Sequence, residues 1–226
     1  MIRCKCKNIL FYKLHRLDWV KFIYIFMDMI FALVIILFSA IIHEYMHGWM
    51  ADQQGDPTAR DQGRLTLNPI AHIDIWGSII MPALIFIGTG GGLIFGYAKP
   101  VPFNPYNLKD QKYGIAKVAL AGPLANLITA LFFGLFLRFI PGLNIVMVSF
   151  LAAIVQINLV LMIFNLLPIP PLDGSKVLMP FLPYNWQMKL TQYEQFGFAF
   201  VLLFVFFGFS LIVPVINFLF SLIVGI

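Results

Sequence analysis

The segment His43-Glu44-Tyr45-Met46-His47 places two imidazoles four residues apart with a carboxylate directly beside the first. Positions i and i+4 share one face of a helix, so both rings can reach a single metal ion. Glu44 is then placed to take a proton from a water activated by that metal, as the general base of a hydrolysis. A catalytic zinc takes three protein ligands and keeps a fourth position open, so a third donor is required. Candidates are His15, His72 and Asp173. Among the carboxylates, only Asp173 follows an apolar helix through a break, enforced here by Pro168, Pro170 and Pro171. Asp173-Gly174 also reads as an ordinary turn, and the local sequence leaves both readings open.

The elements that must position these groups are apolar. Of the 226 residues, 61% are hydrophobic and 11% charged, against roughly half and a quarter in an average soluble domain. Apolar runs long enough to cross about 30 Å of hydrocarbon recur at 30–51, 75–95, 113–139, 145–167 and 196–226. The expected fold is an all-α polytopic membrane protein of five to six transmembrane helices, with short irregular or extended loops. The second run ends in Gly88-Thr89-Gly90-Gly91-Gly92 and can turn back as a re-entrant segment, while the last is over-long and contains Pro214. Loops are expected at 52–74, at 96–112 and at 168–194. Residues 30–226 read as one membrane-embedded domain, preceded by a basic arm at 1–29 whose start is open because Met27 and Met29 directly precede the first clean apolar run.

This setting sharpens the reading of the histidine pair. Ionisable groups in an apolar span cost a few kcal/mol and are usually functional or paired. The competing reading puts the trio at a helix end, where it hydrogen-bonds to itself. The net charge of +5 lies in short stretches between apolar runs, where lysine and arginine orient a membrane protein, so no nucleic-acid partner is expected. Cys4 and Cys6 are too few and too close to build a disulfide framework or complete a zinc site. Cleavage of the amino terminus as a signal peptide after Ala40 would discard the helix leading into His43, so it is read as uncleaved.

Four pieces together resemble the site-2 proteases, the intramembrane zinc metalloproteases of peptidase family M50, in their compact prokaryotic branch without PDZ or CBS domains. They are His43-Glu44-x-x-His47, Gly63-Arg64-Leu65-Thr66-Leu67-Asn68-Pro69 with His72 and Asp74, Ala121-Gly122-Pro123-Leu124-Ala125-Asn126, and Asn165 through Gly174. The resemblance implies one Zn2+ per chain held by His43, His47 and Asp173, with Glu44 catalytic. It implies that Asn165 stabilises an oxyanion or positions substrate, beside the alternative of a helix-to-helix hydrogen bond. His72 and Asp74 are candidates for partners of the ligating histidines, or are plain loop residues. Gly122, Ala121 and Ala125 read as a small-residue packing surface, and Asn126 as an amide joining helices. The tract Lys99 to Pro105 resembles the branch's loop sequence, and an extended segment there could pair with unwound substrate.

The function so implied is hydrolysis of peptide bonds in membrane-spanning protein or peptide substrates by a multi-pass plasma-membrane enzyme. A transporter or channel using the same polar residues is the competing class; against it, no pair of interrupted helices recurs in two similar halves. A catalytically silent binder of membrane segments is the other, and the intact Glu44 speaks against that. Orientation stays open. With five spans and the amino terminus inside, twelve lysines and arginines lie inside and Arg60, Arg64 and Arg138 outside, which puts the His43–His47 end near the outer face. The resemblance implies a site opening to the cytoplasm, which suits an outside amino terminus or a re-entrant second segment.

Overall fold

The computed structural model describes residues 30–88 and 99–225. The basic arm with Cys4, Cys6 and His15, and the glycine run from Thr89 onward, lie outside the described residues.

Among the described residues, four helices are long and apolar enough to cross a membrane: α1 (Ile30–Gln53), α4 (Gly114–Phe139), α5 (Ile145–Asn165) and a continuous helical stretch from Tyr184 to Val224. That stretch divides into α7 (Tyr184–Tyr193), a 3-10 turn, α8 (Gly197–Leu203), a π-helical turn (Phe204–Gly208) and α9 (Phe209–Val224), which contains Pro214. Shorter pieces are α2 (Thr58–Asp61), α3 (Met81–Gly88) behind a π-helical turn at Ile75–Ile80, and α6 (Asp173–Leu178). All of the described regular structure is helical, as the apolar runs lead one to expect.

Helix α4 is the central element, in contact with α5, α6 and α9. Its small buried residues, among them Ala119, Ala121, Gly122, Ala125, Ala130 and Gly134, let neighbouring backbones approach closely. Below the site, α4, α5 and α9 enclose Ala130, Val155, Leu159, Met162, Ile212 and Ile216. Large side chains such as Ile128, Phe132, Phe207 and Leu211 point outward, as suits helices whose solvent is hydrocarbon.

Two stretches differ from the sequence reading. The described part of the second apolar run forms a short helix, and its flanks meet, which is the re-entrant alternative rather than a full span: Lys99 N–H donates to His72 O at 2.9 Å. The chain therefore returns to the level it left, and the loops on either side share one end of the bundle. Residues 168–194, expected as loop, contain α6 and α7. The prolines stop α5 as expected, but beyond them Asp173 favours a new helix start through the helix dipole, and Pro183 directly precedes α7.

The two ends of the bundle are fixed by hydrogen bonds. At one, Lys109 N–H donates to Gln54 O at 2.8 Å and Gln54 Nε2 to Gly114 O at 3.2 Å, joining the end of α1 to the start of α4. At the other, Arg138 Nη1 donates to Leu222 O at 3.1 Å, so the guanidinium meets a last-turn carbonyl of α9.

Candidate metal centre

His43 and His47 project from the same face of α1 toward α4, their ring centroids 4.6 Å apart and nearly perpendicular. Both are buried. Each ring has its Nδ1 engaged by an oxygen that can only accept: Asn126 Oδ1 lies 2.5 Å from His43 Nδ1, and Val118 O lies 2.7 Å from His47 Nδ1. Each Nδ1 therefore carries the proton, and both Nε2 lone pairs face away from α4's acceptors.

Asp173 arrives from the far end of α5. The prolines at 168, 170 and 171 prevent α5 from continuing, and α6 restarts with Asp173 as its first residue. Gly174 makes the approach possible, because a Cβ there would lie 2.1 Å from Leu166 O and 2.4 Å from Leu167 O. The result sets Asp173 Oδ2 3.0 Å from His43 Nε2 and 3.2 Å from His47 Nε2.

These residues fit a zinc ion. Donor atoms of His43, His47 and Asp173 all lie within 4.8 Å of one another, the one such group among the described residues. The 3.0 and 3.2 Å separations are close to the roughly 3.3 Å that tetrahedral ligation at about 2.0–2.1 Å requires. Two imidazole lone pairs facing a carboxylate repel one another unless a cation or a proton lies between them. Gly122 completes the cradle: a Cβ there would fall 2.5 Å from His47 Nε2 and 2.6 Å from His43 Nε2.

Glu44, next to His43, accepts a 2.9 Å hydrogen bond from Val101 N–H at its Oε2. Val101 belongs to an extended strap that follows the glycine run. Arg64 Nη2 holds the strap by the carbonyls of Lys99 and Pro100, and Asn104 N–H donates to Asp56 Oδ2 at 2.6 Å. The strap expected to meet substrate thus lies against the site, with one of its backbone donors already engaged.

The remaining expected site residues have hydrogen-bond partners outside the His-His-Asp cluster. His72 is buried, and its Nε2 pairs with Thr66 O at 2.7 Å; Asp74 accepts from Gly77 N–H at 2.7 Å and caps the π-helical turn. The ring partners of the two ligand candidates are instead Asn126 and the Val118 carbonyl. Asn165 ends α5, half-buried, its Nδ2 donating to Leu161 O at 3.0 Å. Gly122 was legible only as helix packing, because nothing in Ala121-Gly122-Pro123 states which side chains lie above it.

Comparison with known proteins agrees with this geometry. The model of peptidase family M50 matches residues 140–209, which include Asp173. A Bacillus subtilis protein, YwhC, is 40% identical over 200 residues, covering 82% of this chain and 85% of its own. Rip2 of Mycolicibacterium smegmatis is 34% identical over 181 residues, 77% of this chain and 66% of its own. MJ0611 of Methanocaldococcus jannaschii is 42% identical over 99 residues, 42% of this chain and 49% of its own. Each carries the name "putative zinc metalloprotease". No solved structure matches the chain with significance. A membrane-spanning bundle, a zinc-fitting His-His-Asp cluster and this kinship lead to one conclusion: the chain belongs to peptidase family M50 and is an intramembrane zinc metalloprotease.

Proposed function

We propose that His43, His47 and Asp173 are the three zinc ligands, that Glu44 is the general base, and that the enzyme cleaves membrane-spanning protein or peptide substrates. The observation that carries this reading is the convergence of three donor atoms, the two histidine Nε2 atoms among them set against Gly122, with both histidine Nδ1 atoms engaged elsewhere. When bound, zinc supplies Lewis acidity toward a peptide carbonyl and makes water a better nucleophile near neutral pH.

The chain's own residues do the rest. Val101 N–H holds Glu44 Oε2, leaving Oε1 to take the proton of the attacking water and pass it to the departing amine. Asn165 uses one amide N–H on Leu161 O; its second is free to donate to the oxyanion.

Residues 30–226 act as one protease domain around α4, with 1–29 as a basic arm. The site-bearing end faces the cytoplasm of a plasma-membrane enzyme. Among the described residues, Arg60, Arg64 and all six lysines from Lys99 to Lys189 lie toward that end, against Arg138 at the other. The Lys99–His72 contact supports a re-entrant second segment, which keeps Lys99 to Lys117 on the same side as Arg60.

The test is cleavage. Purified full-length chain in liposomes is presented with candidate single-span proteins, with Glu44→Gln as the blank. Products from the parent and none from Glu44→Gln support the assignment; cleavage retained in Glu44→Gln removes it.

A further inference from the structure

We infer that Asn158 is a positioning residue of the metal site: it fixes which end of the Asn126 amide faces His43, and so which nitrogen of His43 is free for zinc. The inference rests on reading His43 as a zinc ligand.

An amide side chain donates at one end and accepts at the other, and the two ends have nearly the same shape. With Asn126 flipped, its NH2 would face His43 Nδ1 and turn that atom into the acceptor. The ring proton would move to Nε2, the atom that faces Asp173 at 3.0 Å. A nitrogen carrying that proton has no lone pair for a metal. Amide orientation at position 126 therefore decides whether His43 can be a ligand.

The orientation is set from two helices away. Asn126 Nδ2 donates to Asn158 Oδ1 at 3.0 Å, with a longer contact to Ser39 O at 3.4 Å. Asn158 is oriented in turn: its Nδ2 donates to Ile154 O at 2.9 Å and to Ser39 Oγ at 3.0 Å. A backbone carbonyl only accepts, so the Ile154 bond fixes Asn158, and Asn158, at the shorter distance, reinforces the longer Ser39 O contact in directing the Asn126 amide toward His43. Ser39 lies one turn before His43 on α1, Asn126 on α4 and Asn158 on α5. Ser39 is 4% exposed and both asparagines 0%, so bulk water cannot offer substitute partners.

Amides also join membrane helices for stability alone. That role predicts lower melting temperatures for substitutions at Asn158, with zinc affinity changing only as folding does. Positioning predicts something more specific. An aspartate at 126 accepts at both ends, so it needs nothing to hold an acceptor toward His43.

The experiment is zinc affinity of the detergent-purified full-length chain, by competition with a chromogenic chelator, beside the melting temperature of the metal-free protein. Asn158→Leu should weaken zinc binding about ten-fold, the scale of losing an outer partner of a ligand. Adding Asn126→Asp in the same chain should restore most of that affinity. If Asn158→Leu does not fold, Asn158→Ala takes its place in both variants. Unchanged affinity in the Asn158 variant, or a double variant no tighter than the single, overturns the inference while leaving the zinc site standing. A folded parent that binds no zinc overturns both.

Discussion

Gly122 lies directly against His47: a Cβ on residue 122 would stand 2.5 Å from His47 Nε2, and 2.6 Å from His43 Nε2. The space where a methyl would sit is bounded by the two nitrogens proposed to hold the metal. A residue that reads in sequence as helix packing thereby becomes part of the site.

Gly122→Ala should accordingly lower zinc affinity by ten-fold or more, since the methyl must displace ring atoms rather than a flexible chain end. Two other glycines serve as controls. Gly134→Ala, whose Cβ would meet Ile223 Cγ2 at 2.3 Å, should lower stability by about 1–3 kcal/mol and leave zinc content intact. Gly88→Ala, with nothing within 4 Å among the described residues, should leave zinc content intact. Metal analysis and thermal melts of the three variants check this.

Gly174→Ala tests how Asp173 is delivered. Its Cβ would meet backbone, Leu166 O at 2.1 Å, which cannot swing aside as a side chain would. The start of α6 must move, and Asp173 moves with it. Zinc per polypeptide should fall as far as in Asp173→Ala, while a parent-like content would show that α6 can be displaced without disturbing the cluster.

Asp56 fastens the strap outside the membrane-spanning helices. It is fully buried and accepts from Thr58 N–H, Thr58 Oγ1, Asn104 N–H and Asn107 Nδ2. Burial pushes its carboxyl up, but hydrogen bonds from Thr58, Asn107 and Asn104 outweigh that and hold its pKa below the ordinary aspartate value of 3.8. A pKa lowered by folding stabilises the folded state above the unfolded value and loses that contribution as pH falls through the folded one. Asp56→Ala should therefore cost about 2–3 kcal/mol near neutral pH. The difference from the parent should shrink below about pH 4. Melting curves of both proteins from pH 3 to 7 decide it.

Orientation is testable in cells. In a chain with Cys4 and Cys6 replaced, a single cysteine at exposed Gln62 should react with an impermeant maleimide only after permeabilisation. One at exposed Gly142 should react in intact cells. The reverse pattern would put the site on the outer side.

Much of the site was legible because its chemistry is local. His43, Glu44 and His47 announce themselves by spacing within one helix, and the proline break marked the place where Asp173 enters. Contacts between helices were not legible. Asn126 carries no sign that His43 stands over it 83 residues away in sequence. The small residues of α4 reveal close packing without naming what is packed. The fold followed the same division: long apolar runs gave α1, α4 and α5, and the glycine run allowed a re-entrant second segment, whereas the backbone hydrogen bond that brings Lys99 to His72 is not encoded in composition. The helices α6 and α7 were hidden by the prolines beside them, which end one helix and sit comfortably before the next.

Zinc per polypeptide, measured in the detergent-purified parent and in Asp173→Ala, tests the central claim without a substrate. About one zinc per parent chain and a clear loss in a folded Asp173→Ala are expected for a three-ligand site. A folded parent that takes up no zinc after incubation with it, or an Asp173→Ala variant that keeps the full content, would contradict the account.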